Sequence, residues 1–223
     1  MLAASISRNA FLLGLFAIIS TAIIAATFLG TGDTIRENIR QAEERALLEI
    51  IPKSRHSNSM LDDAQWIEDS RLLGLREPKK RYIARQNNKP IAVILPATAR
   101  DGYTGDIDMI IGINIDGTVA GVRILSHRET PGLGDGVDKK KSDWVDGFIG
   151  RSLTNPTIER WTVKKDQGVF DQFTGATITP RAVSKTVARA LQYFKEHRQQ
   201  LLSSTNRSSA LNEAGNNPEA NNG

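Results

Sequence analysis

The sequence predicts an α+β protein, in which a single N-terminal transmembrane helix precedes a domain of mixed antiparallel sheet and helices. Three observations lead to this prediction. Residues 10–29 form a run of 20 residues without a charge, runs rich in β-branched residues flank Asp116-Gly117, and apolar residues recur at helical intervals after Pro180. We divide the chain into an anchor, an amphipathic connecting helix, a folded domain and a disordered tail: 1–30, 31–52, 53–200 and 201–223.

The uncharged run is long enough to cross a bilayer, because 20 helical residues span about 30 Å. A cleaved signal peptide and a buried helix of a soluble domain are the alternatives. A signal peptide has a shorter apolar region that ends at a small-residue cleavage site, whereas this run continues directly into a charged helix. We therefore predict an uncleaved single-pass anchor. Arg8 precedes the run and three arginines follow it closely, so the positive-inside rule leaves the orientation open.

The segment after the anchor has a helical pattern. Residues 34–37 have capping-box spacing, with Asp33 as another possible cap, and apolar residues recur from Ile35 to Ile50 until Pro52 ends the pattern. Residues 53–63 are predicted as a loop. A short helix is predicted over residues 64–75.

From residue 89 the pattern changes to that of strands. The apolar runs are residues 91–95, 107–115 and 118–125, and Asp-Gly between the last two is a strong hairpin signal. A short helix is predicted over 143–149 and a further strand over 161–164.

The last predicted element is a helix from Pro180 to about His197. Thr179 is placed as its N-cap and Pro180 as its first residue. Four apolar residues at helical spacing form its buried stripe: Val183, Val187, Leu191 and Phe194.

Composition excludes several kinds of chemistry. The chain has no cysteine, so disulfides, thiolate-held zinc or iron–sulfur clusters and a thiol nucleophile are all excluded. The formal net charge is +4, and the excess lies in residues 31–200. This modest excess suits a phosphorylated ligand better than nucleic acid, which we do not expect as a partner.

Residues 171–180 are the first candidate site. Three threonine hydroxyls and a glycine stand just before a helix N-terminus, where unpaired N–H groups and the helix dipole favour an anion such as phosphate. Arg181 and Lys185 add positive charge in the first turns. The alternative is purely structural, with Thr179 capping the helix and the other hydroxyls satisfying a turn.

Residues 127–136 are the second candidate site. Alternating glycines permit close approach of a flat or phosphorylated ligand, and His127 and Glu129 offer hydrogen-bonding or acid–base groups. The spacing is neither that of a GxGxxG loop nor that of a P-loop. The alternative is a surface loop with a solvated histidine. Lys139-Lys140-Lys141 is interpreted as a solvated run, with attraction of a phosphate as the alternative. Gly102-Tyr103-Thr104-Gly105 alone indicates only a turn.

Together these segments resemble the FMN-binding domain family found in the G subunit of the Rnf (Rsx) ion-translocating electron-transport complex. The C subunit of the sodium-pumping NADH:quinone oxidoreductase is a close relative. The resemblance depends on the membrane span, Gly-Tyr-Thr-Gly at 102–105, His-Arg-Glu-Thr-Pro-Gly-Leu-Gly at 127–134 and Thr-Gly-Ala-Thr at 174–177. Their order and spacing match along nearly the whole chain except the tail, and residues 53–200 are then the FMN-binding domain.

The resemblance implies that FMN is attached covalently, through a phosphoester to the last hydroxyl of the Thr-Gly-Ala-Thr motif, which is Thr177. The family often has Ser at the position of Thr174. A separate flavin transferase would attach the FMN from FAD with magnesium after export, and the domain would lie on the periplasmic side of a bacterial inner membrane. The chain would then relay electrons within a multisubunit translocase and would catalyse nothing alone. Its other partners would be the membrane and peripheral subunits of that complex and membrane lipid.

The expected FMN-binding residues come from the two candidate sites: Thr174, Gly175, Ala176, Thr177, Thr179, Glu129, Thr130, Gly132, Leu133 and Gly134. We expect no catalytic acid–base residue and no metal ligand. Two other function classes stay open. One is an anchored module that binds a free phosphorylated ligand, and the other is a hydrolase with Thr177 as nucleophile and His127 as base.

Overall fold

The computed structural model describes the backbone of residues 2–203 and the side chains of residues 6–203. The chain divides into two compact units, Met1–Ala46 and Leu47–Gly223. Most of the predicted disordered tail, from residue 204 onward, lies outside the described residues.

The first unit belongs to helix α1, Leu2–Ile50. Within it, Ile6–Ile50 is long and apolar enough to cross a membrane, with an 18-residue window of mean hydropathy 2.4. The hydroxyls of Thr27 and Thr31 donate to the carbonyl oxygens four residues earlier, at 2.8 Å, so these polar groups are satisfied within the helix. The predicted helix start at residues 33–34 is wrong, because α1 continues through this point without a break. The predicted end before Pro52 is confirmed.

The second unit contains a five-stranded antiparallel sheet in which sequence neighbours pair in order. Its strands are β1 (Gln65–Ile67), β2 (Lys79–Gln86), β3 (Lys89–Ala99), β4 (Ile107–Asn114) and β5 (Val119–Ser126). The predicted hairpin between β4 and β5 is confirmed. Gly117 adopts φ +88°, and the carboxylate of Asp116 accepts from both the N–H and the hydroxyl of Thr118, at 2.9 and 2.7 Å.

The predicted helix over residues 64–75 is wrong. Its first part is strand β1, and the rest is a turn in which the Asp69 carboxylate accepts from the N–H groups of Leu72 and Leu73, at 2.5 and 3.0 Å. The side chain thus takes the place of helical carbonyl acceptors. Leu72 and Leu73 are nevertheless buried, as their apolar character predicts.

Short 3₁₀ helices complete the second unit. The predicted helix over 143–149 is one of them, whereas the predicted strand over 161–164 is reduced to a single bridge between Val163 and Phe170. The 3₁₀ segments are Lys53–Arg55, Gly134–Val137, Trp144–Phe148, Ile158–Arg160 and Lys164–Asp166.

Helix α2, Ile178–Leu202, packs on one face of the sheet. The predicted stripe is confirmed, because Val183, Val187, Leu191 and Phe194 are all buried in the core with residues of β3 and β4. The helix is kinked at the predicted end, His197, where φ is −112° and ψ is 15°, and a further helical segment continues to Leu202. Arg81 of β2 donates to the carbonyl of Leu201 in that segment, at 2.9 Å. Its start also differs from the prediction. The N-cap position is Thr177, so the prediction of Thr179 as cap is wrong.

The opposite face of the sheet holds the last turn of α1. Leu47, Ile50 and Ile51 are buried there, and the Ile50 side chain lies over Gly112 of β4 and Gly121 of β5. A Cβ on Gly112 would lie 2.2 Å from Ile50 Cγ2. Since two facing glycines are needed to admit Ile50, this contact fixes the register of the helix end on the sheet.

We predict that Gly112→Ala destabilises the folded domain by about 1–3 kcal/mol, because the added methyl overpacks the Ile50 contact. The measurement is denaturant unfolding of the purified full chain in detergent, followed by tryptophan fluorescence. Gly147→Ala is the matched control, since Gly147 has open space and no positive φ. In the double variant Gly112→Ala with Ile50→Ala, the loss of unfolding free energy should be smaller than the sum of the losses in the two single variants. Additive effects would contradict the contact.

Candidate functional site

A cavity of about 150 Å³ brings the predicted segments together. It is lined by Tyr103, Glu129, Thr130, Leu133, Gly134, Gly175, Ala176, Thr177, Ile178 and Thr179. Thr174 and Gly132 were also predicted but are not among its lining residues. Tyr103 and Ile178 were not predicted as site residues. The Gly-Tyr-Thr-Gly turn was the available signal for Tyr103, whereas nothing in the sequence singled out Ile178.

The turn before α2 is held by its own backbone and by one aromatic side chain. Ala176 N–H donates to the carbonyl of Phe173 at 3.1 Å, and Gly175 adopts φ +79°, which favours glycine. The Phe173 ring packs edge-on to Trp144 at 5.4 Å between centroids. Trp144 Nε1 also donates to the carbonyl of Asp171 at 2.7 Å. The turn is therefore anchored to the 3₁₀ segment at 144–148.

Thr177 stands at the N-cap position of α2, but its hydroxyl makes no capping hydrogen bond. The backbone N–H groups of Thr177, Ile178 and Thr179 also have no acceptor within the described part of the chain, as is usual for the first turn of a helix. The next residue, Pro180, has no N–H. One half-buried hydroxyl and three N–H donors thus lie together at the positive end of a helix of 25 residues.

One of the two cationic side chains predicted to support an anion here, Arg181, is already paired. Arg181 donates through Nε and Nη2 to the two carboxylate oxygens of Asp166, at 2.5 and 3.0 Å. This hydrogen bonding lowers the pKa of Asp166 and raises the pKa of Arg181. The positive character of the cavity beside Thr177 therefore comes from the backbone rather than from Arg181.

Glu129 is buried, with 4% of its surface exposed, and its carboxylate joins the segments that line the cavity. Oε1 accepts from the N–H and the hydroxyl of Thr104, at 3.1 and 3.2 Å, and Oε2 accepts from the hydroxyl of Thr179. This bond explains why Thr179 does not cap α2. A Cβ on Gly102 or Gly134 would come within 3.0 Å of the carboxylate oxygens, so glycine leaves room for them.

The contacts of His127 do not match its predicted acid–base role. Its Nδ1 accepts from the N–H of Glu129 at 3.1 Å. The residue lines a second cavity, of about 430 Å³, with Thr104, Gly105, Asp106, Asp108, Ser126 and Arg128. Thr177 is not among the lining residues of that cavity. The geometry therefore gives no support to a hydrolase in which His127 activates Thr177.

Lys139 of the lysine run is not free. It forms ion pairs with Asp143 and Asp146, and hydrogen bonding to Asp143 and then Asp146 raises its pKa. The lysine run is therefore partly structural rather than a phosphate-attracting patch.

Among residues 6–203 there is no group of three or more histidine and carboxylate side chains placed to hold a metal.

The lining of the cavity offers a hydroxyl, backbone donors and an apolar surface, which together suit a flat, phosphorylated ligand. The free hydroxyl supplies an attachment atom, and the three unpaired N–H groups supply donors for one negative charge. A Cβ on Gly175 would lie 3.3 Å from Leu133 Cδ2, so glycine keeps this part of the cavity free of a side chain. Tyr103, Leu133 and Ile178 line the cavity while remaining 42–67% exposed, which offers an apolar surface for a ring system.

Comparison with known proteins identifies two family matches. Residues 102–192 match the FMN-binding domain family, and residues 1–50 match the family described as the RnfG N-terminal region. The matches together cover the first unit, the cavity and most of α2.

Several curated proteins, each named as the G subunit of an ion-translocating oxidoreductase complex, are similar over most of the chain. Those of Pseudomonas aeruginosa (strain UCBPP-PA14) and Shewanella loihica are each 47% identical over 198 residues, which is 89% of this chain and 92% and 93% of theirs. That of Vibrio cholerae is 42% identical over 197 residues, covering 88% of this chain and 94% of its own. Because these identities extend over nearly the full length of both compared proteins, the chain belongs to the family of G subunits of ion-translocating oxidoreductase complexes.

Proposed function

We propose that this chain is a membrane-anchored flavoprotein subunit that relays electrons within an ion-translocating oxidoreductase complex, through FMN attached by a phosphoester to Thr177. The observation that best supports this attachment site is the environment of the Thr177 hydroxyl. Its hydroxyl is uncommitted, lines the cavity and stands beside three unpaired N–H groups. The family matches support FMN as the cofactor.

The covalent link requires a partner that supplies activated FMN. In our proposal a flavin transferase uses FAD and magnesium. The bond between Thr177 Oγ1 and the FMN phosphorus forms, the anhydride bond of FAD breaks, AMP leaves and the hydroxyl proton is released. The resulting phosphodiester keeps one negative charge, which the first turn of α2 is arranged to stabilise.

The other residues bind and orient. Thr174, Gly175 and Ala176 shape the turn that carries the acceptor, and Gly175 leaves room for the phosphate. The ring is flanked by Tyr103 and by three residues of the glycine-rich segment that line the cavity: Thr130, Leu133 and Gly134. When bound, FMN supplies the electron-accepting and electron-donating chemistry. The chain needs only to position it, so no side chain is assigned an acid–base role.

The proposed location is a bacterial inner membrane, with α1 as the single span and the second unit on the periplasmic side. The helix supports the anchor by its length and composition. Its apolar surface contacts lipid and the membrane subunits of the complex, and the folded domain contacts the remaining subunits. Covalent attachment suits this location, because it prevents loss of the cofactor from the protein.

We predict that the full chain, purified from cells that also make the flavin transferase, gives a fluorescent band on a denaturing gel under ultraviolet light. Thr177→Val should abolish the band, because it removes the attachment oxygen while keeping the size of the side chain. Thr174→Val is the matched control on the same turn and should retain the band.

Two outcomes would contradict this assignment. A dark wild-type band would exclude covalent flavin, and binding of free FMN by the same protein would then favour the anchored binding module. Loss of the band in Thr174→Val but not in Thr177→Val would make Thr174 the acceptor in place of Thr177.

The orientation can be tested because the chain has no cysteine of its own. We predict that Lys140→Cys, at an exposed position of the domain, reacts on intact cells with a maleimide that does not cross the inner membrane. Ser5→Cys, before the apolar run, should react only after the inner membrane is permeabilised. The reverse pattern would place the domain in the cytoplasm.

A further inference from the structure

The carboxylate of Glu129 makes contacts that binding a ligand would not require. Both of its oxygens are used by protein donors, since Oε1 binds Thr104 and Oε2 binds Thr179. Thr104 belongs to the turn before β4, and Thr179 to the first turn of α2. One buried side chain thus connects two walls of the cavity that are 75 residues apart in sequence.

The third wall is packed against the same carboxylate. A Cβ on Gly134 would lie 2.9 Å from Glu129 Oε2 and 2.8 Å from Thr179 Oγ1. A Cβ on Gly102 would lie 3.0 Å from Oε1. Gly102 and Gly134 therefore approach the Glu129 carboxylate as closely as a residue without a side chain can. The position of the carboxylate thus sets the positions of all three walls.

The donors around Glu129 are neutral. Within the described residues, no lysine or arginine forms an ion pair with it. A buried carboxylate that depends on hydroxyl and N–H donors alone requires all of them to be in place, since each missing donor leaves it poorly solvated. The three hydrogen bonds therefore hold as a set, and losing one weakens the others.

We propose that Glu129 is a positioning residue, which fixes the turn at 102–105, the segment at 130–134 and the first turn of α2 around the group attached to Thr177. This inference rests on the proposed function. Within the described residues Glu129 accepts from Thr104 and Thr179 and not from Thr177, so it acts on the walls of the cavity rather than on the attachment atom. It determines instead how rigidly the attached flavin is held, and with that its optical properties and its reduction potential.

The first test needs no flavin. Amide hydrogen exchange is measured on the full chain purified without the transferase. Thr179→Val removes one donor to Glu129 without touching Thr104, yet the Thr104 amide should exchange roughly tenfold faster, because the carboxylate is no longer held from the other side. Thr179→Ser keeps the hydroxyl and should restore slow exchange.

Thr186→Val is the matched control. Thr186 is also a buried threonine of α2, but its hydroxyl accepts from Arg189 at 2.8 Å, away from the cavity. Any effect at Thr104 that Thr186→Val reproduces would reflect loss of helix stability rather than positioning. Glu129→Ala should give the largest effect, and Thr179→Val keeps the test valid where Glu129→Ala does not fold.

The second test uses the flavinylated full chain. The attached flavin of Thr179→Val and Glu129→Gln is measured on a denaturing gel, and each native-state measurement is made on the flavinylated fraction of that variant. In the native state their flavin should show lower fluorescence anisotropy and a shifted reduction potential, since the walls of the cavity are no longer fixed. Thr186→Val should match the wild type in all three measurements.

The outcomes separate this inference from the proposed function. A fluorescent wild type, with slow Thr104 exchange and unchanged anisotropy in Thr179→Val, would overturn the positioning role alone. Loss of attachment in Glu129→Gln with normal exchange at Thr104 would also overturn it, because Glu129 would then act directly in attachment. A wild type without attached flavin would overturn the proposed function and this inference with it.

Discussion

The buried contact of Glu129 with Thr104 and Thr179 is the constraint on which the candidate site depends. A carboxylate away from water is stable only where donors replace its hydration. Here those donors come from the turn before β4 and from the first turn of α2, so burying the carboxylate requires sheet and helix to be correctly docked. The cavity that contains Thr177 forms as a consequence, because the same turn of α2 lines it.

The elements predicted correctly are those specified by nearby residues. The β4–β5 hairpin follows from Asp116-Gly117, whose side-chain acceptor and positive φ are local properties. The buried face of α2 follows from the spacing of its apolar residues alone. The candidate segments at 127–136 and 171–180 were expected to bind one ligand, and residues of both line the same cavity, although that expectation came from family resemblance rather than from spacing.

The errors occur where residues far apart in sequence decide the outcome. Strand β2 carries the buried arginines Arg81 and Arg85, whose partners are Leu201 and Asp63, so its sequence does not resemble a buried strand. The position of Thr179 suits an N-cap, but its hydroxyl binds Glu129, 50 residues earlier. The helix predicted over residues 64–75 does not form, because the Asp69 carboxylate accepts from the Leu72 N–H in place of a helical carbonyl oxygen. Neither charge compensation nor competition for a hydroxyl is visible in local periodicity.

The pairing of Arg181 with Asp166 has a consequence for the environment in which the anion site operates. Because the Arg181 guanidinium is paired with Asp166, the donors beside Thr177 are peptide N–H groups. These groups do not titrate, and they are fixed in the backbone rather than carried on a flexible side chain. Their field is the same in acidic and alkaline surroundings. A phosphate held there would be bound by donors that keep their charge and their position, so its binding would be equally strong in weakly acidic and in weakly alkaline solution.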